Sequence, residues 1–239
     1  MKKLFLLLFV VSGLISFAQK ESVVNDPNAE KRTLDASFSS ISVSNGVTLF
    51  LSKGDEESIA VSASDPKYLE RYITEVDNGV LKIYYDNKGI NWTGGDKRKL
   101  KAYVSFKSLQ KISASAGSLV NMKTVLKENE MEFVFTSGSG FNGEVDINQL
   151  NAFVNSGAEI EMTGKAAKAK LEASSGAIFK GYELITDYCE AKASSGGGVR
   201  INVNKELSVK ASSGGGIRYK GTGIIKDMNV NSGGVVKKG

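Results

Sequence analysis

Histidine is missing from this 239-residue chain, cysteine occurs once and proline twice. Without histidine the commonest general base and metal ligand is gone. The lone thiol, Cys189, supports neither an internal disulfide nor a thiolate zinc cluster, and it reads as a small buried residue. Strong charge of one sign is also lacking. The precursor carries a formal +5, and loss of Lys2 and Lys3 leaves 29 basic against 26 acidic residues, about +3. That mild excess does not point to nucleic acid as a partner. Long apolar runs are confined to the start, where Lys2 and Lys3 precede Leu4 to Phe17, and Ser16 and Ala18 lead to a cut ahead of Gln19. Residues 1–18 therefore read as an export signal, too short for a comfortable membrane span. No cysteine lies near the cut, so a lipidated N-terminus is not expected, nor is a transmembrane segment in the mature chain.

Glycine, by contrast, is plentiful at 26 residues, and much of it falls in one recurring phrase. A small or apolar residue, a polar residue, Ser, Gly and another small residue lead into an apolar strand at Ala114, Phe135, Val154, Ala173, Ala193, Ala211 and Val230, with Ala116 in place of Ser in the first copy. The anchoring glycines, Gly117, Gly138, Gly157, Gly176, Gly196, Gly214 and Gly233, are 21, 19, 19, 20, 18 and 19 residues apart. Seven copies at a period near 19 residues are the signature of a stacked repeat.

Aligned on those glycines, the positions three before (Ala114, Phe135, Val154, Ala173, Ala193, Ala211, Val230) and five before (Ile112, Phe133, Ala152, Leu171, Ala191, Val209, Met228) are apolar throughout. Val120, Phe141, Ile160, Phe179, Val199, Ile217 and Val236 continue the pattern after the glycine, alternating with polar residues. That alternation gives strand, tight Ser-Gly corner, strand in each copy. Glycine takes the positive φ of the corner without a Cβ clash. A second corner is expected at Gly164, Gly181, Asn204 and Gly221. One copy cannot bury its own apolar face, but parallel stacking turns each position into an internal ladder. The fold class is all-β, a β-solenoid of about seven Ser-Gly-cornered coils of about 19 residues, occupying 111–239.

Before the repeats, 19–31 reads as a polar leader and 32–110 as an irregular β-rich region able to cap one end. Ile41, Val43, Leu49 and Leu51 around Gly46 fit the later frame as a divergent first copy. Asp65-Pro66 offers an N-cap and first-turn proline for a short helix to about Tyr72, and Asn78-Gly79 the turn of a hairpin. Asp86 to Lys99 reads as a polar loop holding Trp92.

Together the export signal, the Arg32-Thr-Leu…Phe38…Ile41-Ser-Val-Ser-Asn-Gly-Val opening, the Asn78-Gly79-Val-Leu-Lys-Ile hairpin and the serial corners resemble the putative auto-transporter adhesin, head GIN domain family. The resemblance spans roughly Leu34 to Lys237. It implies a right-handed parallel β-helix and an extracytoplasmic location: periplasm, cell surface or medium. It brings no catalytic residues. After Gly233 the sequence given leaves no room for an outer-membrane barrel, so self-transport is not expected.

Catalysis finds little footing in the residues. Ser137, Ser156, Ser175, Ser195, Ser213 and Ser232 recur at one corner with no base to activate them. The Gly196 and Gly214 triplets lack the Lys-Ser/Thr ending of a phosphate loop. Glu159 and Glu161 have no acidic counterparts in the next copy, where Ile178 and Lys180 stand. No cofactor or metal is expected. Surface columns carry the positive hint: Lys180, Arg200, Arg218 and Lys237 occupy equivalent outward positions, and Lys192 and Lys210 form a second basic column. Stacked at a strand spacing of roughly 4.8 Å, they would present a positive stripe suited to an acidic glycan or another envelope component. A solvated lysine ladder is the plainer alternative. The expected function is a non-catalytic exported binding or scaffold module. The alternatives are a polysaccharide-active enzyme on the same scaffold or a structural envelope protein. Homo-oligomers through the solenoid edges are a further expectation.

Overall fold

Each Ser-Gly corner of the repeats sets both of its residues at positive φ, and this fixes the architecture. In the computed structural model, which describes residues 26–89 and 97–239, Ser137 and Gly138 stand at φ 55° and 69°, and Ser213 and Gly214 at 49° and 72°. Two successive left-handed residues make a type I′ turn, closed here by a hydrogen bond from the Ser139 N–H to the Thr136 carbonyl at 3.2 Å. The sequence reading assigned positive φ to the glycine alone. The serine shares it, at a steric cost of roughly 1–2 kcal/mol for a residue with a Cβ. Stacking offsets that cost, because each corner glycine N–H donates to the carbonyl of the corner serine in the next coil, as Gly138 does to Ser156 and Gly157 to Ser175, both at 3.1 Å.

Those corners align seven coils into a solenoid whose strands pair in parallel. Leu126–Phe135 pairs with Gly140–Val154, which pairs in turn with Glu159–Ala173, Ile178–Ala193 and Gly198–Ala211. The three apolar columns face inward as expected: Phe133, Ala152, Leu171, Ala191 and Val209 are all at most 2% exposed. Near the glycines the register is unbroken, whereas irregular coil lengths are absorbed on the far side by bulges between Glu161 and Gly164 and between Gly181 and Ile185. The second corner is accordingly only partly realised. Gly164 and Gly221 take φ of 98° and 102°. Gly181 lies within the strand Ile178–Ala193 and Asn204 within Gly198–Ala211, neither at positive φ, because the bulges bend the chain there instead.

The first third joins the same stack out of chain order. Ser40–Val43 and Thr48–Lys53 form a coil around Asn45-Gly46 that pairs in parallel with Lys111–Ala114 and Leu119–Met122. On its other side lie Val80–Tyr85 and Lys101–Phe106, again parallel. Antiparallel strands close this end: Tyr72–Asp77 against Val80–Tyr85 through the Asn78-Gly79 turn, Ser58–Ser62 against Lys101–Phe106, and Glu30–Arg32 against Ser58–Ser62. The helical segment is a 3₁₀ helix, Pro66–Arg71, capped by the Asp65 side chain on the Lys67 N–H. The expected export signal and Trp92 lie outside the described residues, as do parts of the expected polar leader and of the loop around Trp92. Among the described residues no helix is long and apolar enough to cross a membrane.

Asp26 ties the leader to this end of the stack. Its Oδ2 accepts from Ser62 Oγ at 2.8 Å and Tyr103 OH at 2.9 Å, with Lys101 Nζ at 3.5 Å. The Ser62 hydrogen bond, helped by the one from Tyr103, lowers the carboxyl from 3.8 to about 2. A carboxyl whose folded value lies below its unfolded one contributes stability that is present above the unfolded value and is lost as pH falls through the folded one. The leader is therefore expected to stay docked above about pH 4 and to release as pH falls towards 2. Limited proteolysis with an acid-active protease checks this: cleavage near Asp26 should rise over that interval, and Asp26→Asn should be cut at every pH.

At the opposite end the last coil is left uncovered among the described residues. Met228 and Val230, members of the inward columns, are 50% and 42% exposed. Lys237 and Lys238 lie on the strand Val235–Lys238 at this edge, and charge there opposes strand addition.

Candidate functional site

Pairing in register carries side chains at equivalent positions into straight outward columns. Glu161 is opposite Lys180, Lys180 opposite Arg200, Arg200 opposite Arg218 and Arg218 opposite Lys237. The structure thus brings all four cations of the first column together. The second column is Glu172, Lys192 and Lys210, again in direct register. The two columns lie on the strands either side of the Ser-Gly corner.

The cations are not equivalent. Lys180 Nζ is 2.6 Å from Glu159 Oε1, and Lys192 Nζ is 2.9 Å from Glu172 Oε1, so each basic column is neutralised where it begins. Arg200, Arg218 and Lys237 have no acidic partner among the described residues, and neither has Lys210. What remains is a ladder of three consecutive unpaired cations, half-buried at Arg200 and exposed at Arg218 and Lys237. Beside its start lies a small hollow lined by Glu161, Met162, Lys180, Tyr182, Glu183 and Arg200. Sequence reasoning found the columns by position but missed the neutralising glutamates, since Glu159 and Lys180 lie 21 residues apart and meet only when coils stack.

Two features outside the columns complete the surface. Cys189 is 3% exposed, and burial pushes its thiol up to about 12, so it is a packed core residue without nucleophilic character at neutral pH. On the strands leading to the corner, an open lateral groove follows the stack, floored by Leu150, Ala169 and Cys189 and walled by polar side chains including Gln149, Asn151 and Tyr188. The sequence reading did not single this groove out. The corner glycines locate the columns but do not reveal where a strand bends inward. Among the described residues no cluster of acidic or sulfur ligands could hold a metal ion.

Solved structures share this architecture. A putative adhesin from Bacteroides fragilis NCTC 9343 superposes with a TM-score of 0.76 at 16% identity, covering 88% of this chain and 95% of its own. A putative adhesin from Parabacteroides merdae ATCC 43184 gives 0.67 at 17% identity, over 88% and 95%. A putative lipid binding protein from Parabacteroides distasonis ATCC 8503 gives 0.66 at 19%, over 90% and 98%. At such identities the likeness establishes the fold. No curated protein sequence matches this one significantly. Residues 37–223 match the family described as putative auto-transporter adhesin, head GIN domain. The chain belongs to that family.

Proposed function

We propose that the chain is an exported, non-catalytic binding module that holds a linear acidic glycan along the Arg200, Arg218 and Lys237 ladder. The observation that carries this reading is the run of three stacked cations left without carboxylate partners among the described residues, whereas Lys180 and Lys192, which begin the two columns, are paired. A polymer bearing a negative charge on successive units meets such a ladder at several points at once, so weak individual contacts accumulate. The family description and the adhesins among the structural relatives support a binding role in general terms. Beside the ladder, Glu159 is committed to Lys180 and Glu183 to Lys220.

Sedimentation or calorimetry with polygalacturonate tests the reading. The wild-type chain should bind at low salt and lose affinity steeply as salt rises. The Arg200→Glu/Arg218→Glu variant should bind at least about tenfold more weakly while melting close to wild type, since surface substitutions of this kind change stability little. Unchanged binding by the reversed variant would remove the ladder from the account.

A further inference from the structure

We propose that the lateral groove is a second binding site, separate from the cationic ladder, for an uncharged linear glycan. The groove is built rung by rung. Glu130, Gln149, Lys168, Tyr188 and Glu206 stack along one wall, and Glu132, Asn151, Lys170, Glu190 and Ser208 along the other. Between them the floor column runs Met131, Leu150, Ala169, Cys189 and Leu207, with its smallest side chains at Ala169 and Cys189.

Its size fits a chain and not a single small molecule. One section has a volume of about 470 Å³ and the other about 580 Å³, and the two adjoin at Asn151, which lines both. Each is alone within the range of a small-molecule site. Eight strands, from the one carrying Ser40 to the one carrying Ile224, line the groove. A pyranose in an extended chain advances by nearly the length of one rung, roughly 4.8 Å, so one sugar sits over each strand.

The lining selects against charge. Four lysines face five glutamates along its length, so the groove offers no run of like charge for an ionic polymer. Gln149, Asn151 and Ser208 make no side-chain hydrogen bond among the described residues, leaving donors and acceptors open to hydroxyl groups. Tyr188 is 41% exposed, with the Lys205 ammonium over its ring at 5.5 Å, and adds an aromatic surface for a sugar face.

Calorimetry with neutral gluco-, manno- and xylo-oligosaccharides, from disaccharide to dodecasaccharide, at low and high salt, tests the site. Affinity for at least one series should rise with length, level off near eight units, the number of strands that line the groove, and resist salt. Tyr188→Ala should weaken it about tenfold or more, Asn151→Trp should block it, and Arg200→Glu/Arg218→Glu should leave it unchanged. Absence of binding to every neutral series would overturn the proposal, as would binding indifferent to both groove variants. Polygalacturonate run in parallel separates that failure from failure of the ladder, because only the ladder variant should affect it.

Discussion

Gly164→Ala is expected to cost more than about 3 kcal/mol and to lower the melting temperature by roughly 6–12 °C, because backbone strain and a backbone clash coincide there. The residue stands at φ 98°, and a Cβ added to it would lie 2.1 Å from the Val145 carbonyl oxygen of the preceding coil. That oxygen is backbone held in the parallel ladder between Gly140–Val154 and Glu159–Ala173, so it cannot rotate away as a flexible side chain would. Gly157→Ala, in the same turn of the solenoid, supplies the comparison. Gly157 also has positive φ, 72°, but nothing lies within 4 Å of the point where its Cβ would stand. Its cost is the left-handed strain alone, roughly 1–2 kcal/mol. Thermal melts followed by circular dichroism should separate the two variants clearly. Equal losses would mean that the coils do not approach as closely at Gly164 as the structure places them.

Phe133→Ala carries the second large effect, an expected loss of about 3–5 kcal/mol in urea unfolding. Phe133 is fully buried and packs against Phe135 and Phe141, with ring centroids at 6.3 and 4.9 Å. Its column then runs Ala152, Leu171, Ala191 and Val209, large and small residues alternating from coil to coil. Removing the ring opens a cavity between rigid ladders that cannot collapse along the stack, since hydrogen bonds on both sides fix the spacing of the strands. A loss below about 1 kcal/mol would contradict that packing.

Much of this architecture was legible in the amino-acid sequence because a solenoid makes spatial neighbours of residues one period apart. Aligning seven glycines therefore revealed the inward columns, the outward cations and even the divergent copy around Gly46, which does stack on Gly117. Legibility failed where the period is broken. The far side of the coils is bulged, so Gly181 and Asn204 looked like corners by analogy with Gly164 yet lack the positive φ that Gly164 takes. The order of the first coils was hidden for a related reason: Val80–Tyr85 and Lys101–Phe106 precede Ser40–Val43 and Thr48–Lys53 in the stack although they follow them in the chain. The ladder was readable as a set of positions. Its division into paired and unpaired cations was not, because Glu159 and Glu172 reach their lysines from a neighbouring coil. The groove depends on the depth of a bend, which a pattern of apolar and polar residues does not encode.

Binding of residues 19–239 to an array of acidic and neutral polysaccharides, at low and at high salt, tests most directly whether the outward columns are a working surface. The predicted result is saturable binding to acidic polymers that salt abolishes and that Arg200→Glu/Arg218→Glu removes. Acidic-polymer binding that survives salt and charge reversal, or none under any condition, would contradict it.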